Sequence, residues 1–147
     1  MVLKTFKATV NRKNGLAVEA VTRNFKINID EPKELGGTNT GMNPVELLLN
    51  SLGACQAIAL TTFAKKYGVH LEHIRVELEG DLDTEGFLGK ADVRPGFQDI
   101  RLKLYLKTDT AEDKVNKLID YVQSHCPVAD SIGRSVKIEP PKIAVEK

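Results

Sequence analysis

The chain has 147 residues, the length of one globular domain, and its 41% hydrophobic and 28% charged residues suit a packed core rather than a disordered chain. With 21 basic against 20 acidic residues the net charge is +1, which makes no electrostatic case for nucleic acid or an anionic membrane as partner. The N-terminus lacks the apolar run and cleavage site of a secretory signal. No stretch reaches the ~18 consecutive apolar residues of a spanning helix, so the cytoplasm is the expected location.

The first thirty residues predict strands. Val2 to Val10 alternates loosely, with Phe6, Ala8 and Val10 on one face. Lys13-Asn14-Gly15 is a hairpin signal, because Asn-Gly supplies positive φ angles. Leu16 to Thr22 is the expected return strand, Arg23-Asn24 a further turn, and Phe25, Ile27 and Ile29 mark a third strand. Residues 30–43 form a glycine-rich loop that ends in a helix start: Asn43 as N-cap, Pro44 at the first helical position and Glu46 three residues after the cap.

The helix is predicted from Pro44 to about Tyr67, with Lys65 and Lys66 in its last turn and Gly68 ending it. Its first half is apolar almost all round, interrupted by Glu46, Asn50, Ser51 and Gln56, as expected of a helix buried on most sides. Strands follow at 74–79 and 100–107, the second alternating cleanly through Ile100, Leu102, Leu104 and Leu106. An amphipathic helix then starts near Asp109 or Thr110, on Val115, Leu118, Ile119 and Val122. It stops before Pro127, which opens a short helix closed by Gly133; Val136 and Ile138 suggest a last strand. This order predicts an α+β fold with antiparallel sheets, in a single domain over 1–147.

Two cysteines do not make a disulfide framework. Cys55 lies mid-helix on the face of Leu48, Ser51, Leu52, Ala59 and Thr62, where burial favours the neutral thiol. From the residues alone it reads as an inert core cysteine. Glu46 falls on the opposite side of that helix, so capping is its expected role. Cys126 sits at a helix break beside His125, where it is either a plain cap or a thiolate stabilised by free N–H groups. No metal is expected: Cys55, Cys126, His70, His73 and His125 lack ligand spacing, and His70 and His73 fall on opposite faces of a strand entry. The loop GGTNTGMNPVE lacks a P-loop's Lys-Ser/Thr and a dinucleotide turn's glycine spacing, and no serine sits in a nucleophile elbow.

Two segments carry a resemblance. GGTNTGMNPVELLLNSLGAC resembles one hallmark of the OsmC/Ohr family, and HCPVADSI resembles its second; GFLGKADVRPGFQDIRLKL and EPKELGG also resemble OsmC-like members, over roughly residues 20–140. The resemblance implies an intertwined homodimer with antiparallel sheets wrapped around central helices, the N-terminal strands crossing to the partner. It also implies a thiol peroxidase that reduces organic hydroperoxides. Cys55 would attack, Cys126 would resolve, and a dithiol such as dihydrolipoamide would reset the pair without metal or flavin. The sequence departs from the peroxidase members at Val45, where they carry a Glu that orients an Arg at the thiolate. Arg12, beside Lys13, and Arg23 are the candidates for that Arg. The alternative expectation is a non-catalytic dimer of this fold that binds an apolar small molecule or senses redox state.

Overall fold

The structure, a computed structural model, describes residues 1–146. It is α+β, and every strand pairing is antiparallel. The chain gathers into two compact units, one over Met1–Asn50 and one beginning at Ser51, and the boundary falls inside the first helix.

In the first unit, β1 (Thr9–Arg12), β2 (Val18–Thr22) and β3 (Phe25–Ile29) make a three-stranded meander in sequence order. Gly15 takes a φ of +55° in the first hairpin, and Arg23 a φ of +56° in the second. β1 is shorter than the alternation at Val2–Val10 predicts. Its register runs from Thr9 opposite Val21 to Arg12 opposite Val18; only Thr22 of five-residue β2 lies beyond it, so residues 2–7 have no β2 residue opposite them.

The glycine-rich loop is organised by Asp30, which is buried. Its carboxylate accepts hydrogen bonds from the hydroxyls of Thr38 (2.5 Å) and Thr40 (2.7 Å) and from the backbone N–H groups of Glu31, Thr38 and Thr40. The two threonine hydroxyls, ahead of the backbone donors, hold this carboxyl well below the usual carboxylate range. The loop turns tightly enough that a Cβ on Gly37 would stand 2.0 Å from the Glu31 carbonyl oxygen. One on Gly41 would stand 2.3 Å from that of Asn28.

The loop delivers the chain into α1 (Pro44–Ala64) through a reciprocal cap. The Glu46 N–H donates to Asn43 Oδ1 at 2.9 Å, and the Asn43 N–H donates to Glu46 Oε1 at 3.0 Å. A 3₁₀ turn over Lys65–Tyr67 closes the helix, and Gly68 at a φ of +66° ends it. Pro44–Tyr67 is, among the described residues, the one helical stretch long and apolar enough to cross a membrane. Buried core helices of globular proteins meet the same criteria, and the C-terminal half of this one packs in the core described next; the expectation of burial on most sides fails for its start, where Val45 and Leu48 are exposed.

In the second unit, β4 (Leu71–Leu82) and β5 (Phe97–Thr108) form a long two-stranded ribbon, joined by a connection holding the short α2 (Thr84–Phe87). Gly53 of α1 lies against Leu78, where a Cβ would come within 2.7 Å of that side chain. α3 (Glu112–His125) packs its apolar stripe on the C-terminal half of α1, burying Leu60, Ala64, Leu118 and Val122 with Val69. Ile74, Leu104 and Leu106 from the ribbon cover this cluster. α4 (Pro127–Gly133) follows at once, capped by Cys126. The expected final strand at Val136 and Ile138 is absent among the described residues. Both side chains are exposed, and no described strand pairs with them.

Candidate functional site

α1 and α3 bring the two cysteines together. Val122 packs with Leu60 in the shared core, and the next turn along each helix toward the site carries Gln56 on α1 and Cys126 at the end of α3. Pro127 forces the break that places Cys126 between two helices: the Cys126 N–H donates to the Val122 carbonyl of α3, and the Cys126 carbonyl accepts from the Asp130 N–H of α4. The sulfurs of Cys55 and Cys126 lie 2.7 Å apart, and both thiols are free.

Their surroundings differ. Cys126 is only 1% exposed, while Cys55 is partly open to solvent. The Ala129 N–H reaches Cys126 Sγ at 3.5 Å, so this sulfur caps α4. Burial pushes the Cys55 thiol above its ordinary value and the neighbouring Cys126 thiol adds to the effect, while a hydrogen bond from the Val128 backbone opposes it. No cation of the same unit is among the groups that shift it.

Beside the sulfurs, Gln56 is fully buried. Its Oε1 accepts a hydrogen bond from Gln123 Nε2 at 2.6 Å, and its own Nε2 has no partner among the described residues. The sequence marks Gln56 only as an interruption in an apolar helix. A long amide directly after the cysteine is the one signal that could have singled it out.

The remaining candidates lie elsewhere. Val45 is half-exposed in the first turn of α1, and Glu46 is committed to its cap. Arg12 ends β1; Lys13 Nζ donates to Asn28 Oδ1 at 2.9 Å; Arg23 stacks over the Phe25 ring at 4.8 Å. His125 stacks on Tyr121 with ring centroids 3.9 Å apart. His70 faces Asp109 at 3.8 Å on the surface. Among the described residues no three His, Cys, Asp or Glu side chains converge as a metal site would require.

Comparison with known proteins bears on the family and the fold. The family model described as "OsmC-like protein" matches residues 37–140, which include both cysteines. The chain is similar to the Bacillus subtilis protein YmaD, 30% identical over 121 residues that cover 79% of this chain and 77% of that one. It is similar to the hydroperoxide reductase of Mycoplasma genitalium, 23% identical over 130 residues covering 88% and 87%. Among solved structures, an OsmC-like protein from Mycoplasma pneumoniae superposes with a TM-score of 0.78 at 22% identity, over 88% of each chain.

Proposed function

The chain belongs to the OsmC-like family, and we propose that it acts there as a thiol-dependent peroxidase that reduces organic hydroperoxides through Cys55 and Cys126. The observation that carries this reading is the 2.7 Å approach of the two sulfurs. Their unequal exposure supports the division of labour. A peroxide reaches the partly open Cys55, whereas the buried Cys126 is placed to meet only what forms on its neighbour.

The Cys55 thiolate attacks the distal peroxide oxygen. The O–O bond breaks, the alkoxide leaves and takes a proton as the alcohol, and Cys55 carries the oxygen as a sulfenic acid. Cys126 then attacks that sulfur, water leaves, and a disulfide joins the two residues. An external dithiol, with dihydrolipoamide as the expected type, returns both thiols by exchange and leaves oxidised. Leu48 and Leu52, on the cysteine's side of the helix, favour an alkyl substrate over hydrogen peroxide. The helix start stays largely uncovered within the single chain, with Val45 and Leu48 exposed, and Ile58 is 67% exposed further along. That is the surface a second copy of the chain would cover.

A second reading has its own observation. The Cys55 thiol is raised, with no cation of its unit to offset burial, so attack is slow near neutral pH. A slow pair of this kind suits redox sensing by a non-catalytic dimer, or a protein whose apolar face binds a small molecule. Stoichiometric consumption of cumene hydroperoxide by reduced protein, with thiols counted before and after, separates the two. One peroxide consumed per two thiols lost, repeated over many equivalents once dihydrolipoamide is added, supports the peroxidase, whereas a single slow equivalent supports the sensor. Intact thiols after hours with excess peroxide would leave only the protein whose apolar face binds a small molecule.

A further inference from the structure

We infer that Gln56 and Gln123 are positioning residues for the sulfur pair, a polar bridge that sets the register of α1 against α3. The inference rests on reading Cys55 and Cys126 as a redox pair. Gln56 directly follows Cys55, and Gln123 lies one turn before Cys126, so the 2.6 Å bond between their amides stands next to the 2.7 Å sulfur contact.

The buried core contacts between these helices are apolar and not directional, and the edge-on contact of Phe63 with Tyr121 lies about two turns along α1 from Cys55. Leu60, Leu118 and Val122 hold the helices together, but such a surface tolerates a small slide or roll at little cost. A disulfide does not, because it needs a narrow range of sulfur separation and of dihedral angle. A short amide–amide hydrogen bond fixes both rotation and axial offset at the place where the offset matters.

Gln56 is 0% exposed, and its Nε2 finds no acceptor among the described residues. A half-satisfied amide is a poor choice for stability alone, since an apolar side chain of that length would pack the same space without an unpaired donor. The bridge is therefore placed for position. Burial inside one chain persists in any assembly, whatever covers the outside of α1.

The test is the thiol–disulfide equilibrium against glutathione, measured on the full chain after preparing the disulfide with diamide. Gln123→Ala removes the donor at the exposed end of α3, and Gln56→Leu removes the buried amide. Both are expected to lower the effective concentration of one thiol at the other by about tenfold or more. Gln56→Leu should nonetheless match or exceed wild type in urea. Gln123→Glu should restore the wild-type equilibrium, because a carboxylate accepts from Gln56 Nε2 once that amide turns over.

Wild-type equilibrium in Gln123→Ala, or no recovery in Gln123→Glu, would overturn the positioning role and leave the redox pair standing. If diamide forms no disulfide in wild type, the redox reading fails and this inference fails with it. Should Gln56→Leu not fold, the two Gln123 variants carry the test alone.

Discussion

Oxidising Cys55 and Cys126 to a disulfide should stabilise the protein considerably. The two residues are 71 positions apart in the chain, and cross-linking them removes that much loop freedom from the unfolded state. The chain-entropy relation gives about 4 kcal/mol at 25 °C for a loop of this size. Native-state strain subtracts from it, but the sulfurs need to close only from 2.7 Å to the ~2.05 Å of a bond, so little distortion is expected. With a urea slope of about 2 kcal/mol per molar, the midpoint should move up by ~2 M. The assay is urea unfolding of diamide-oxidised and fully reduced protein, followed by far-ultraviolet circular dichroism at one fixed protein concentration. The concentration must be matched because subunit association also shifts midpoints. Equal midpoints, or a lower one for the oxidised form, would refute the reasoning, since bond formation would then have to distort the fold.

Three further outcomes are expected. Cys55→Ser should abolish peroxide consumption, whereas Cys126→Ser should consume one equivalent and retain a sulfenic acid on Cys55, detected by dimedone labelling and mass spectrometry. The rate of Cys55 alkylation by iodoacetamide should still be climbing at pH 9, because its raised thiol puts the reactive thiolate on the alkaline side of the ordinary range; a plateau near neutrality would contradict the burial argument. Asn43→Ala should cost about 1 kcal/mol in urea unfolding through loss of one arm of the cap at the start of α1.

The local signals of the sequence led directly to local structure. Asn43, Pro44 and Glu46 predict a reciprocal cap because all its partners lie within three residues, and both hydrogen bonds are present. Pro127 likewise marks the break at Cys126 from stereochemistry alone. What failed were strands whose partners the sequence does not name. Alternation at Val2–Val10 and at Val136–Ile138 signals a face, but a strand exists only where another strand pairs with it. The family hallmarks pointed to both cysteines as one site, whereas helix periodicity put Cys55 among core residues and said nothing of Cys126's distance. Gln56 and Asp30 were illegible for a related reason: one bonds across 67 residues, and the other draws on threonines 8 and 10 positions ahead.

That contrast in span bears on how the molecule assembles and comes apart. Asp30 and its threonines close a loop of about ten residues, whereas the sulfur pair must bring ends 71 positions apart together. The longer closure costs about 1.7 kcal/mol more in chain entropy. The Asp30 loop, with the helix cap behind it, is thus cheap to form and able to precede the distant encounter. The thiols, by contrast, depend on α3 and α4 having arrived. A partial opening that lifts α3 and α4 parts the sulfurs while every hydrogen bond to Asp30 stays made. Redox competence in this chain therefore reports on the folding of its last quarter, and an assay of disulfide formation doubles as a sensor of whether that quarter is in place.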